Sequence, residues 1–273
     1  MSYDRDSNPR QKKSLSQVFL RTDWPVLKVA EGVEEWGITR VLEIGPGGGI
    51  LTRALMAKPW KLTAVEKDDR FVEKLTDYFT VSKAEYPGSF EIVNQDVLQF
   101  DLASWLKQSG EPTAIVGNIP YSISSPIVLW LIPYLQQVKG VKLLVQLEFA
   151  QRLAGVAGTK DYGSLSVYTQ LRSQVTIDCK VDRTCFTPVP KVDSAIITLK
   201  PRTQILSDDL LRKVEKVCRA CFTQRRKKLR NAIKQFVPED RLDSCPIDLN
   251  RRPDAIRPEE YLELTRFIYS LSE

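Results

Sequence analysis

Histidine is missing altogether from the 273 residues. That excludes Ser-His-Asp and Cys-His nucleophilic triads, histidine-ligated metals and imidazole acid–base steps. Any catalysis here uses a carboxylate or needs no general base tuned near neutrality. Cysteine is sparse and odd in number: Cys179, Cys185, Cys218, Cys221 and Cys245. The opening stretch, MSYDRDSNPRQKKSLSQVFL, is polar and charged with no export signal, so these cysteines read as reduced thiols of a cytoplasmic protein. Cys218 and Cys221 form a CxxC without a second pair, and a core-facing helical stripe explains them better than zinc, so no metal is expected. Long apolar runs are missing too. The longest, around Ile127–Leu135, is broken by Pro133 and is too short to span a bilayer.

What is present is an alternating pattern. Apolar segments near 41–44, 61–65, 90–93, 113–117, 142–147, 174–179 and 192–199 read as strands. Between the first five lie amphipathic stretches such as Leu51–Ala57, Arg70–Phe79 and Ile127–Leu135. Such alternation predicts an α/β fold with a mostly parallel, seven-stranded sheet covered by helices on both faces. The last two strands are joined by a short link and are expected to pair antiparallel at one edge. After Pro201 the period changes: Leu210, Val214, Val217 and Cys221 recur at helical spacing, followed by Leu229, Ile233 and Phe236, and a helical run covers Tyr261–Leu271. We therefore expect a first domain over 1–203, with a basic tail at 1–21, and a small helical domain over 204–273.

Charge is unevenly spread. The chain carries 40 Lys/Arg against 34 Asp/Glu, a net of +6. Residues 201–273 hold 16 basic and 12 acidic side chains, and the first 21 hold five and two. QRRKKLR (224–230) puts five cations in seven residues. Two basic zones around a near-neutral middle fit a polyanionic partner, although solvated surface lysine and arginine account for any single run equally well.

The first strand runs into VLEIGPGGGILT (41–52), where Gly45, Gly47 and Gly49 allow close backbone approach to a ligand. A dinucleotide fingerprint would need glycine at position 50, which is Ile50. With Glu43 two residues before Gly45, the loop better suits S-adenosylmethionine than a pyrophosphate. Glu66 ends the second strand 21 residues beyond Gly45, where a carboxylate can accept from both hydroxyls of a ribose. Asp96 follows the third strand, within reach of an adenine amino group; both acids can alternatively cap the helices that follow. A Rossmann-like, S-adenosylmethionine-dependent methyltransferase domain is the fold these residues point to.

The fourth strand ends in Asn118-Ile119-Pro120-Tyr121. An exocyclic amine on a purine is a poor nucleophile because its lone pair is delocalised into the ring. An Asn side-chain oxygen and a backbone carbonyl at Ile119 or Pro120 can accept its two N–H groups, favour sp³ character and free the lone pair. Pro120 fixes the turn, and Tyr121 offers a ring face for a flipped base. No histidine is required, because the product ammonium is acidic. Alone, the motif says only that a planar amine or amide is methylated. A cytosine 5-methyltransferase would need a cysteine after proline, whereas Cys245 precedes Pro246.

Taken in order, LEIGPGGGILT, VEKDDR, QDVLQFD, GNIPYSISSPI, QLEFAQRLAG, YGSLSVYTQ, CFTPVPKVDSAIITLKP, CFTQRRKKLRNAI and RRPDAIRPEEYLEL resemble the motifs of rRNA adenine dimethyltransferases of the KsgA type. The resemblance runs over nearly the whole chain. It implies that Gly45, Gly47, Glu66, Asp96 and Asn118 contact the cofactor or line its pocket, that Leu20 belongs to the N-terminal cofactor segment, and that Phe186 stacks on the adenine face opposite Tyr121. The family usually reads G-Q-N-F-L where this chain has Ser16-Gln17-Val18-Phe19-Leu20. Val18 lacks the amide's hydrogen bonds, so the methionine end of the cofactor is held more loosely there or by Gln17.

By the same resemblance, the enzyme methylates two adjacent adenosines in succession. They lie in a hairpin loop near the 3′ end of 16S (small-subunit) rRNA, within a partly assembled subunit, during small-subunit biogenesis. The expected enzyme is a monomer without membrane contact. Arg225, Arg226, Lys227, Lys228 and Arg230, on a basic helix over 224–230, would clamp RNA phosphates. Erm-type large-subunit rRNA adenine methyltransferases share N-I-P-Y and the Phe motif, but the C-terminal segments resemble the small-subunit enzymes. A non-catalytic RNA- or DNA-binding assembly or transcription factor of the same fold is disfavoured by the intact Gly/Glu/Asp/Asn set.

Overall fold

The computed structural model describes residues 18–270. Its strands are β1 (Phe19–Leu20), β2 (Arg40–Ile44), β3 (Lys61–Glu66), β4 (Ser89–Asn94), β5 (Thr113–Asn118), β6 (Gly140–Gln146), β7 (Ser173–Val181), β8 (Phe186–Thr187) and β9 (Ser194–Pro201). The helices are α1 (Trp24–Glu34), α2 (Ile50–Met56), α3 (Asp69–Val81), α4 (Leu102–Lys107), α5 (Ser124–Leu131), α6 (Leu147–Leu153), α7 (Ser164–Arg172), α8 (Asp208–Thr223), α9 (Leu229–Ile233) and α10 (Pro258–Ser270). The seven expected strand segments form one sheet in the order β4-β3-β2-β5-β6-β9-β7. From β4 to β6 every pairing is parallel, and β9 is antiparallel to β6. The last two strands are neighbours at one edge as expected, with β7 outermost.

The sequence explains this order. RVLEI of β2 is buried at every position and the first five residues of β5 are buried too, as strands covered by helices on both faces must be. Ser89–Asn94 alternates toward solvent and takes the opposite edge. The β6 segment carries Lys142, only 6% exposed, which is tolerated because its ammonium lies 2.5 Å from the Asp178 carboxylate. The same carboxylate accepts the Thr198 hydroxyl at 2.7 Å. On α3, Phe71, Leu75 and Phe79 recur every four residues and are buried, and the Asp68 carboxylate caps its first turn by accepting from the Arg70 N–H.

From β2 the chain steps outward to β3 and β4, then returns to the other side of β2 with β5. The order therefore reverses between β2 and β5, and ligands of open α/β sheets bind beyond the carboxyl ends of strands at such a reversal. A further short pairing, Phe19↔Thr187 and Leu20↔Phe186, joins β1 and β8.

The chain divides into two compact units. One comprises the described residues up to 150 with 176–201, the other 151–175 with 202–270. This differs from a single cut at 203/204, because residues 151–175 go with the C-terminal helices. The reason is packing: Arg172 pairs with Asp208 at 2.8 Å and the Tyr162 hydroxyl donates to the Ile256 carbonyl at 2.7 Å. Leu211, Val214, Val217, Cys218 and Cys221 form the buried face of α8, so the CxxC is a core stripe. Burial pushes the Cys221 thiol up to about 12. No helix among the described residues is long and apolar enough to cross a membrane.

Close approach of β2 and β5 depends on Gly117. A Cβ there would meet the Ile44 carbonyl oxygen at 2.8 Å and the Ile119 and Ile44 side chains at 3.1 Å. Gly117→Ala is expected to lower stability by about 1–3 kcal/mol, the usual penalty for overpacking. Urea denaturation checks this, and an unchanged midpoint would contradict it.

Candidate active site

A cavity of about 840 Å³ opens at the carboxyl ends of β2, β3 and β5, a volume suited to a nucleoside-bearing cofactor. Of the expected site residues, Val18, Leu20, Gly45, Gly47, Glu66, Asp96, Asn118 and Pro120 line it. They come from segments far apart in sequence, brought to one rim by the parallel order.

The glycine loop is held by the acid of the next strand. Gly47 has φ +48°, a left-handed conformation that favours glycine, and its N–H donates to Glu66 Oε2 at 3.0 Å. Glu66 Oε1 accepts the Asp68 N–H at 2.8 Å. Burial pushes the Glu66 carboxyl up, and these backbone donors oppose the shift. With the Lys67 N–H also donating to this carboxylate, one acceptor position remains for a ligand hydroxyl. Asp96 does cap the turn after it, accepting the Leu98 N–H at 3.0 Å, and it pairs with Lys67 at 2.8 Å. The Lys67 ammonium holds this carboxyl below its ordinary range. Capping and lining the cavity coexist at Asp96.

At the end of β5 the Asn118 carboxamide makes no hydrogen bond among the described residues and is half-buried at the cavity wall. The next two carbonyls differ. That of Pro120 accepts the Ile123 N–H at 3.1 Å and the Ser124 hydroxyl at 3.3 Å, which fills both lone pairs. The Ile119 carbonyl accepts nothing among the described residues. Of the two candidates for a second acceptor, Ile119 is the free one.

Two expectations need correction. Phe186 is fully buried in the apolar core with Leu20 and Val181, and offers no open ring face in this structure. Its place opposite Leu20 in the β1–β8 pairing turns it inward, while the neighbouring Thr187 and Pro188 line the cavity instead. The basic run 224–230 is not a helix: α8 stops at Thr223, residues 224–228 form the turn, and α9 begins at Leu229. In that run Arg225 pairs with Asp254 at 3.3 Å and donates to the Thr159 and Lys160 carbonyls at 3.0 and 2.8 Å. Arg230 pairs with Asp243, and Lys228 donates to Asn250. Arg226 and Lys227 are exposed, with no side-chain partner among the described residues.

Val18 presents an alkyl group to the cavity and packs partly against the core, while Gln17 lies outside the described residues. Sequence reasoning noted Glu43 in the loop motif but gave it no place in the site. It borders the cavity at 1% exposure, and neither carboxylate oxygen has a hydrogen-bond partner among the described residues. Burial pushes its carboxyl up to about 8. The available signal was a carboxylate inside a central, all-buried strand, where it must be either paired or protonated.

Sheet order, glycine loop and cavity over the reversal together define the S-adenosylmethionine-dependent methyltransferase fold. The family model described as ribosomal RNA adenine dimethylase matches residues 8–269. The chain belongs to that family, whose methyl donor is S-adenosylmethionine. It is 34% identical over 260 residues to ribosomal RNA small subunit methyltransferase A of Colwellia psychrerythraea, covering 94% of this chain and 84% of that one. Identity to the protein of the same name from Francisella tularensis subsp. novicida is 33% over 264 residues, 95% and 98% of the two chains. Among solved structures, a dimethyladenosine transferase from Plasmodium falciparum aligns with TM-score 0.73 at 25% identity, covering 90% and 95%. The 23S rRNA methyltransferase ErmE aligns with TM-score 0.68 at 32% identity, covering 92% and 99%.

Glu43 makes stability depend on pH. Its folded value of about 8 lies above the ordinary 4.5, so the folded state binds the proton more tightly than the unfolded chain does. Stability contributed at low pH is then lost as pH rises through that window, at up to about 1.4 kcal/mol per pH unit. Glu43→Gln, which cannot ionise, is expected to gain on the wild type between pH 5 and about 8. Urea midpoints for both proteins across this range test it; parallel profiles would contradict it.

Proposed function

We propose that the chain transfers methyl groups in succession to the 6-amino groups of two adjacent adenosines near the 3′ end of small-subunit rRNA. It acts as a monomer, in the cytoplasm, on a partly assembled subunit. The names of the curated relatives support the substrate class. The carrying observation is the Asn118 carboxamide, without a hydrogen-bond partner among the described residues, at the wall of the cavity that Gly45, Glu66 and Asp96 also line.

The residues fit S-adenosylmethionine: the volume suffices, Glu66 keeps an acceptor position for a ribose hydroxyl, and Asn118 makes no hydrogen bond among the described residues. In this reading Leu20, Gly45, Gly47, Glu66, Asp96 and Asn118 hold the cofactor, with Val18 an apolar wall. When bound, the cofactor supplies an electrophilic methyl group on a sulfonium. The Asn118 carboxamide oxygen and the Ile119 carbonyl accept the two N–H groups of the target amine and draw its lone pair out of conjugation. Pro120 sets the turn that presents these acceptors, and Tyr121 supports the base. The product ammonium gives its proton to solvent, so a histidine-free chain suffices. Arg226 and Lys227 are the cations of the 224–230 run best placed to meet phosphates, because Arg225 and Arg230 are already engaged.

Methyl transfer to undermethylated small subunits, compared with free small- and large-subunit rRNA, tests the substrate. Dimethyladenosine in the small-subunit RNA is expected, and a mark confined to large-subunit RNA would contradict the reading. Asn118→Ala should lower kcat by about 100-fold or more with RNA affinity nearly intact. Replacing Arg226 and Lys227 by alanine should instead weaken RNA binding and reduce the log–log salt slope by about 0.7–0.9 for each phosphate left unneutralised. Equal effects of both changes on affinity would overturn this separation of roles.

A further inference from the structure

Tyr121 directly follows the cavity-lining segment Asn118–Pro120, and its hydroxyl lies 2.6 Å from the Oγ of Ser194. Ser194 is 0% exposed and opens β9 opposite Gln146. Its backbone is anchored through the preceding residue, Asp193. The Leu147 N–H donates to the Asp193 carbonyl at 3.0 Å, and the Asp193 carboxylate accepts the Arg183 N–H at 3.1 Å and pairs with Lys180 at 2.7 Å. The loop so fixed, 182–193, carries Thr187 and Pro188 of the cavity wall. The Arg21 N–H ties it to the cavity-lining N-terminal segment by donating to the Cys185 carbonyl at 2.8 Å. One buried hydroxyl thus links the phenol beside the Asn118 wall to the loop that forms another wall.

We infer that Ser194 is a positioning residue whose hydroxyl holds the Tyr121 ring at the angle required to support the target base. The inference rests on the proposed reading, in which Tyr121 stacks on that base. A tyrosine ring fixed only at Cβ can rotate about two torsions, and a hydrogen bond at the far end removes that freedom before the substrate arrives. Removing either partner leaves the other hydroxyl partly buried and unpaired, so the two substitutions should share one cost. Ser194 itself does not border the cavity, and its effect should pass through Tyr121 alone.

The test uses the full-length chain with undermethylated small subunits, and the variants Ser194→Ala, Ser194→Thr, Tyr121→Phe and the double Ser194→Ala/Tyr121→Phe. Ser194→Ala and Tyr121→Phe are each expected to raise KM for the subunit about tenfold, with kcat changed less and S-adenosylmethionine affinity by calorimetry unchanged. The double variant should be no worse than either single one, and Ser194→Thr, which keeps the hydroxyl, should recover most of the wild-type KM. Multiplying effects in the double variant, or a matching fall in cofactor affinity in Ser194→Ala, would overturn the assignment. Should Ser194→Ala fail to fold, Tyr121→Phe decides: an unchanged KM overturns it. A readout free of turnover is the Tyr121 hydroxyl proton in NMR, expected to exchange slowly with water in the wild type and in Ser194→Thr, and quickly in Ser194→Ala. Fast exchange in the wild type overturns the inference, whereas slow exchange in a wild type that methylates no small-subunit RNA indicts the proposed function instead.

Discussion

The arrangement depends on the parallel pairing of β2 with β5, in which Ile44 stands opposite Gly117. Because strands in a sheet lie about 5 Å apart, this register puts the residues that follow, Gly45 and Asn118, side by side where the chain order reverses. A one-residue slip would turn every side chain of β5 to the other face and carry Asn118 away from the glycine loop. The absence of a side chain at Gly117 is what lets the strands meet at that level. The hydrogen bond from the Gly47 N–H to Glu66 then joins the third strand end to the same rim.

Inside that rim, the electrostatics are set by burial more than by pairing. Glu43 and Glu66 are both pushed toward the neutral form, while Asp96, closer to solvent and paired with Lys67, is held charged. The cavity, whose lining also carries Arg21, Arg53 and Lys67, offers acceptors suited to a neutral amine. It has no need of a titrating imidazole, which accords with a sequence that contains none.

Much of this was legible in the sequence, for physical reasons that can be named. Five strands of the sheet, β2, β3, β5, β6 and β9, were visible because their apolar runs are buried nearly throughout, and α3 and α8 because their apolar residues keep helical spacing; the edge strands β4 and β7 are only half-buried. The glycine loop, Glu66, Asp96 and Asn118 could be read because each sits at a strand end, where parallel topology sends all of them to one side. The β1–β8 pairing was not legible, since two residues per strand carry no periodicity. With it went the inward orientation of Phe186. The turn at 224–228 was hidden because a run of Arg and Lys contains neither glycine nor proline to mark it. Which of those cations are free depends on Asp254, Asp243 and two loop carbonyls that only tertiary structure brings near.

In the proposed function one amine meets the Asn118 carboxamide and the Ile119 carbonyl beside the glycine loop. A crystal structure with S-adenosylhomocysteine and a short RNA hairpin containing the two adenosines tests it most directly. The N6 of the extruded base is expected within hydrogen-bond distance, about 3 Å, of both acceptors. A base seated elsewhere, or an Asn118 side chain turned away from it, would contradict the account.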